Sequence, residues 1–82
     1  MNELKGDQGL SYGEAAVGLS FNPSGDPQVQ AVKKLYADVI DLLNSMRVEN
    51  PGPSEKNRLI SIAITEAQGA QMWAVKAITW NK

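Results

Sequence analysis

The amino-acid sequence predicts an all-α fold: an antiparallel helical hairpin with a short N-terminal arm, assembled into a compact homo-oligomer. Two stretches with helical spacing of apolar residues, about 27–48 and 54–80, are separated by the short loop ENPGPS, which is typical of an antiparallel helix pair. The second stretch is apolar on nearly every side, and such a helix is normally buried on every side. Because one amphipathic partner covers only one stripe of it, we expect other copies of the chain to cover the rest.

Residues 1–25 are expected to form the N-terminal arm and a turn segment, ahead of a hairpin of residues 26–82. Residues 1–14 are polar and contain several glycines, as in a flexible arm. The apolar run AAVGLSF, residues 15–21, is short and bounded by turn residues, so it is either a brief strand or an extended segment packed on another element. NPSGDP at residues 22–27 predicts a turn.

The first helix begins with favourable residue types. Asp26 is a good N-cap, and Pro27 at the first helical position loses no hydrogen bond by lacking an N–H. Up to Val48, apolar residues recur at alternating spacings of three and four, as on one face of a helix. Ser54 is the expected N-cap of the second helix.

The second helix contains residues that indicate close contacts. Gly69 costs about 1 kcal/mol relative to alanine inside a helix, so a packing or ligand reason is expected for it. Trp73 and Trp80 lie one heptad apart on one face and can anchor a subunit contact. Taken singly, each of these residues also fits a position in an ordinary core.

Composition restricts the possible functions. The 82 residues suffice for one domain, and they include no cysteine and no histidine. Disulfides, the usual zinc sites and the commonest general base are thereby excluded, and no enzyme motif is present. We therefore expect no enzymatic activity, no catalytic residue, no metal and no cofactor. The net charge of −1 argues against a DNA-binding protein, and no apolar stretch suits a signal peptide or a membrane span.

Uncharged polar residues follow one side of the second helix, which is unusual for a soluble helix. Ser61 and Thr65 belong to this stripe, and Arg58 lies seven residues before Thr65 on the same face. Hydroxyl groups and a guanidinium fork suit the phosphates and bases of a ligand. The alternative is that the stripe makes hydrogen bonds between subunits.

Further ligand candidates lie in the N-terminal half. Phe21 stands beside Asn22 in the glycine-proline turn and can stack on a base, or else it fills the end of the hairpin core. Tyr12 is a second stacking candidate. Lys33 and Lys34 can contact phosphate, or they belong to a solvated helix face. Tyr36 lies on the apolar seam, where a core role is expected, and Asp38 and Asp41 are expected on the solvated face beside Lys34.

The segments GLSFNPSGDPQVQAVKKLYADVIDLL (18–43) and ITEAQGAQMWAVKAITW (64–80) resemble the helical-hairpin domain of the phage anti-CBASS and anti-Thoeris sponge proteins. The resemblance covers residues 15–80. It implies a compact hexamer of helical hairpins that binds cyclic nucleotide messengers of bacterial immunity between protomers, without cleaving them, in the cytoplasm of the infected host. The implied ligands are cyclic dinucleotides, cyclic trinucleotides or cyclic ADP-ribose isomers.

The resemblance also implies roles for particular residues. A phosphate contact at the start of the last helix maps to Arg58 and Thr65, with Ser61 beside them. An aromatic group and a lysine from the N-terminal half map to Phe21 or Tyr12 and to Lys33 or Lys34. The alternative function is a helical-hairpin interaction protein that binds a host or virion protein through the face of Trp73 and Trp80.

Overall fold

The computed structural model describes residues 9–80, and within this range all regular secondary structure is helical. The helices are α1 (Tyr12–Ala16), α2 (Pro27–Glu49) and α3 (Glu55–Ile78). Helices α2 and α3 pair along their length, and α1 packs on α2. The start of α2 lies beside the end of α3, so the pair is antiparallel. The all-α helical hairpin predicted from the sequence is confirmed for these residues.

The strand or extended segment suggested for residues 15–21 is wrong, because residues 15 and 16 end the helix α1 and residues 17–20 form turns. Ser11 Oγ accepts a hydrogen bond from Glu14 N (3.1 Å), and Glu14 Oε1 accepts one from Ser11 N (3.0 Å). This reciprocal pair is a capping box, which satisfies backbone N–H groups at a helix start. Residues 1–8 of the expected arm, like residues 81 and 82, lie outside the described range.

The two long helices begin at the caps that the sequence predicts. Asp26 Oδ1 accepts from Gln28 N at 2.7 Å, with Pro27 at the first helical position. Ser54 Oγ accepts from Asn57 N at 3.1 Å. The Asn57 side-chain amide also donates to the carbonyl groups of Asn50 (2.7 Å) and Gly52 (2.8 Å). These bonds tie the interhelical loop to the first turn of α3.

The hydrophobic core of one chain is small. Its buried residues come from the segment after α1 and from both long helices: Val17, Ala37, Ile40, Ile60 and Ile64. Tyr36 is partly buried against this cluster, as its position on the apolar seam predicts.

A large apolar surface remains uncovered when one chain is considered alone. On α3, the side chains of Trp73 and Met72 are 71% and 64% exposed. On α2, Leu35 and Leu42 are 66% and 64% exposed. An apolar surface of this kind on a small protein usually marks an interaction site. Within residues 9–80, no helix has the length and apolar character needed to cross a membrane.

Candidate functional site

Six of the eight predicted ligand residues fall into two groups at opposite ends of the hairpin, and Tyr12 and Lys34 line neither cavity. Phe21, Asn22 and Lys33 line an open cavity of about 370 Å³, here called the turn cavity. Arg58, Ser61 and Thr65 line a second open cavity of about 370 Å³, here called the Arg58 groove. Ser61 and Val75, which lines the turn cavity, are fourteen helix steps apart on α3. This corresponds to about 21 Å along the helix axis.

The turn cavity lies between the turn before α2, the start of α2 and the end of α3. Val29 and Val75 give it apolar walls, and Ser24 and Thr79 contribute polar groups. Small-molecule sites typically combine mostly apolar walls with a few polar groups that fix orientation. The Phe21 side chain is 70% exposed at the edge of this cavity, so its ring face is available for stacking and does not fill the core.

Lys33 places a buried positive charge in the turn cavity. Its residue is only 5% exposed, and its ammonium donates hydrogen bonds to the carbonyl oxygens of Gly18 (3.0 Å) and Phe21. The ammonium nitrogen lies 5.5 Å from the centroid of the Phe21 ring. No carboxylate pairs with Lys33 within residues 9–80, and burial lowers the pKa of its ammonium because desolvation disfavours the charged form. An anion would therefore find an uncompensated charge here.

Asn22 gives the turn its shape. Its Nδ2 donates to the carbonyl oxygen of Asp26 at 3.1 Å, and its Oδ1 accepts from Ser24 Oγ at 3.2 Å. Ser24 Oγ in turn accepts from Asp26 N. The Asn22 side chain thus holds the loop that presents Phe21 and also forms part of the cavity lining.

The Arg58 groove is open and contains an ion pair. Arg58 Nε and Nη2 donate to the two carboxylate oxygens of Glu55 at 2.9 and 2.6 Å. This hydrogen bonding raises the pKa of Arg58 and lowers the pKa of Glu55. In the free protein the guanidinium fork therefore faces a carboxylate of its own helix. Ile62 and Glu66 complete the groove lining.

Arg47 connects Tyr12 to the Arg58 groove, a role that was not predicted from the sequence. Its Nη1 donates to Ser61 Oγ (3.0 Å), and its Nη2 donates to Tyr12 Oη (3.3 Å) and to Asn44 Oδ1 (2.7 Å). The guanidinium carbon lies 5.7 Å from the Tyr12 ring centroid. Arg47 is in the last turn of α2, so antiparallel pairing brings it beside the start of α3. That position is the signal that could have identified it.

Lys34 lies outside both cavities. It is exposed and forms ion pairs with Glu14 (3.2 Å) and Asp38 (2.9 Å), which raise the pKa of its ammonium. The solvated-face alternative describes Lys34 and Asp38. It is wrong for Asp41, which is partly buried and accepts hydrogen bonds from Ser11 Oγ and Gly13 N, both at 2.6 Å.

No neighbouring segment of residues 9–80 explains why position 69 is a glycine. A Cβ built on it meets no atom within 4 Å. With Met72, Trp73 and Lys76 it lines a shallow groove of about 270 Å³, and the Lys76 ammonium lies 5.7 Å from the Trp73 ring centroid. Among the described residues, no three acidic, histidine or cysteine side chains cluster in a way that could hold a metal ion.

Comparison with protein families identifies a match. The family model described as Acb2/Tad1, hairpin domain, matches residues 14–79, which is most of the chain. No curated protein and no solved structure matches the chain at a significant level.

Proposed function

Because the chain belongs to the Acb2/Tad1 hairpin family, the family of anti-CBASS and anti-Thoeris sponges, we propose that it binds and sequesters cyclic nucleotide second messengers of bacterial anti-phage signalling without cleaving them. The family match over residues 14–79 is the observation that carries this proposal. The candidate ligands are cyclic dinucleotides, cyclic trinucleotides and cyclic ADP-ribose isomers. The proposed place of action is the cytoplasm of the infected bacterial host.

The side chains of the two cavities suit this ligand class. Phe21 offers an exposed aromatic face, and base–aromatic stacking contributes about 1–3 kcal/mol per base. Lys33 supplies a charge without a carboxylate partner in the described residues, and Ser61 and Thr65 supply hydroxyl groups. Sequestration requires only tight binding and slow release. A sponge therefore needs no acid, base or nucleophile.

The separation of the two cavities supports an oligomer as the binding unit. One chain holds the turn cavity and the Arg58 groove at opposite ends of α3, so a single small ligand cannot contact both in the same chain. We propose that the exposed apolar faces of α2 and α3 assemble six chains and bring residues of different protomers to one ligand. Trp73 and Trp80, 71% and 67% exposed, are the proposed anchors of this assembly.

Native mass spectrometry tests the assembly. The wild-type chain is expected to give a hexamer, and Ala70→Phe is expected to give smaller species because Ala70 is exposed on α3 at a place where helices would approach closely. Lys56→Gln, a change at the exposed start of α3, serves as the control and should leave the hexamer intact. A monomeric wild-type protein at micromolar concentration would contradict the proposed oligomer.

Calorimetric titration tests the ligand class. The full-length protein is titrated with a panel of cyclic dinucleotides, cyclic trinucleotides and cyclic ADP-ribose isomers. At least one of these is expected to give saturable heat, and the ligand should be recovered chemically intact after the protein is denatured. Cleavage products would overturn sequestration, and absence of heat for the whole panel would overturn the ligand class.

The second candidate function is that of an interaction protein for a host or virion partner. The observation that favours it is the exposure of Trp73, in the last part of α3, and of Trp80, two residues after the helix ends. If the exposed tryptophans bind a foreign protein, the chain should be monomeric in isolation and silent in the calorimetric panel. Those two results together would replace the sponge with this alternative.

A further inference from the structure

The Arg47 guanidinium makes all of its side-chain hydrogen bonds in the described part of the chain to uncharged oxygens. It donates to the hydroxyl groups of Ser61 and Tyr12 and to the side-chain carbonyl of Asn44. No carboxylate within residues 9–80 pairs with it. Since a guanidinium has only donors, both hydroxyl oxygens must act as acceptors in these contacts.

This arrangement determines which further hydrogen bonds the two hydroxyl groups can form. A hydroxyl that accepts from Arg47 still has one O–H hydrogen to donate. Neither Ser61 nor Tyr12 donates a hydrogen bond to another group of residues 9–80. Ser61 lines the Arg58 groove together with Thr65, so its remaining donor capacity is available to an acceptor in or beside that groove.

The Arg47 charge, which no carboxylate of residues 9–80 pairs, favours an anionic acceptor beside the groove. The Arg58 charge is countered by Glu55 at 2.6 Å, and Glu66 is a second acidic group in the lining. The Arg47 charge has no such counterpart among the described residues. An anionic phosphate group bound near Ser61 would accept hydrogen bonds from the hydroxyl groups and offset the Arg47 charge without contacting the guanidinium.

We infer that Arg47 is a positioning residue for phosphate binding: its fork holds the Ser61 and Tyr12 hydroxyl groups so that both serve as donors to a phosphate of the ligand at the Arg58 groove. This inference rests on the proposed function for the identity of the ligand, but the groove itself can be tested with a simple phosphate compound. Arg47 acts here through the two hydroxyl groups, so the loss of either one should reduce the effect of losing Arg47.

The test is a double-mutant cycle with inorganic pyrophosphate as the probe. Its dissociation constant is measured by ³¹P NMR at constant ionic strength for the wild type, Arg47→Gln, Ser61→Ala and the double variant. Each single change is expected to weaken binding about fivefold, the loss of one hydrogen bond of ordinary strength. The double variant is expected to lose clearly less affinity than the roughly 25-fold that two independent fivefold effects would give, because coupled groups are not additive. Full additivity would overturn the inference, as would an unchanged affinity for Arg47→Gln.

Two further variants separate positioning from charge and from folding. Arg47→Lys keeps the charge, but it lacks the planar fork that reaches two oxygens, so it should not restore the wild-type affinity; complete rescue would contradict positioning. Lys56→Gln removes one positive charge elsewhere on α3 and should change the affinity less than Arg47→Gln. Melting temperatures identify any variant that has lost affinity only because it is unfolded. A second cycle uses Tyr12→Phe in place of Ser61→Ala, because this change removes the hydroxyl group and keeps the aromatic ring.

The outcome is independent of the calorimetric panel. Pyrophosphate binding with a coupled cycle and no heat from cyclic nucleotides would keep the phosphate groove and remove the proposed ligand class. If a cyclic nucleotide gives heat but the effects of Arg47→Gln and Ser61→Ala are additive, the proposed sponge function stands and the proposed role of Arg47 is wrong. Absence of pyrophosphate binding by the wild type would overturn the inference directly.

Discussion

Gly13 packs against Ala37 so closely that a Cβ on Gly13 would stand 2.2 Å from the Ala37 carbonyl oxygen. The backbone of α1 therefore lies directly on α2. Asp41 fixes this contact, because its two carboxylate oxygens accept from Gly13 N and Ser11 Oγ. The short helix that carries Tyr12 is thus held by backbone contact and by one carboxylate of α2.

This contact predicts that Gly13→Ala destabilises the protein. Even one added methyl group cannot fit against a backbone oxygen, and overpacking of this kind costs about 1–3 kcal/mol. Gly69→Ala is the matched control, because its Cβ meets nothing within 4 Å and alanine favours a helix by up to about 1 kcal/mol. The midpoint of urea denaturation, followed by circular dichroism, should fall for Gly13→Ala and rise for Gly69→Ala. Equal midpoints would show that Gly13 does not hold α1.

A second prediction concerns how the stability of the protein changes at acidic pH. The hydrogen bond from the Ser11 backbone, followed by that from Lys34, lowers the pKa of Glu14 below its ordinary value of 4.5. A lowered folded-state pKa stabilises the protein above the unfolded value, and this contribution is lost as pH falls through the folded value. Glu14→Gln should therefore be less stable than the wild type at neutral pH, and the difference should close below pH 4.5.

Urea midpoints at pH 7 and pH 3 measure this difference. Glu49→Gln is the control for removing one acidic charge, since the Glu49 side chain has no partner within residues 9–80. A difference between wild type and Glu14→Gln that persists unchanged at pH 3 would mean that the Glu14 charge contributes nothing to the cap.

The long helices could be predicted from the sequence, whereas α1 could not. Helices α2 and α3 repeat their apolar spacing over several turns and start at recognisable caps. In contrast, α1 has only five residues, too few to show a period, and Gly13 lowers its helix propensity. Its stability depends on Asp41, which lies 28 residues farther along the chain than Gly13. The capping-box pattern of Ser11 and Glu14 was the only local signal for it.

The candidate site shows the same division between local and tertiary information. Residue types and the turn pattern identify Phe21 and Asn22. Lys33 and Lys34 have different environments because neighbouring side chains on a helix point about 100° apart. Lys33 is buried in the turn cavity, whereas Lys34 pairs with surface carboxylates. The contact between Arg47 and Ser61 depends on the register of α2 against α3, which the sequence pattern leaves open.

A third prediction follows from the pair of Glu55 and Arg58. If Arg58 binds a phosphate, Glu55 competes with that phosphate for the guanidinium in the free protein. Glu55→Gln is therefore expected to tighten binding of a cyclic nucleotide severalfold, and Arg58→Ala is expected to weaken it while leaving assembly intact. Calorimetry at two salt concentrations measures both effects, which screening should reduce at the higher one.

Lys56→Gln is the charge control for this pair. It removes a positive charge between Glu55 and Arg58 in sequence, but Lys56 does not line the Arg58 groove. If Lys56→Gln and Arg58→Ala weaken binding equally, the effect comes from net charge alone. An unaltered affinity for Arg58→Ala would show that this residue does not contact the ligand.

The last prediction concerns the exposed ring of Phe21. Phe21→Leu keeps an apolar side chain but removes the aromatic face, so it should weaken binding of a cyclic nucleotide by about 1–3 kcal/mol, the contribution of stacking one base. Phe21→Tyr should restore most of that affinity, because the ring is retained. Since Phe21 is 70% exposed, neither change should lower the melting temperature appreciably. A leucine variant that binds as tightly as the wild type would mean that Phe21 acts only as an apolar wall, and one that melts early would instead place the ring in the structural packing of the turn.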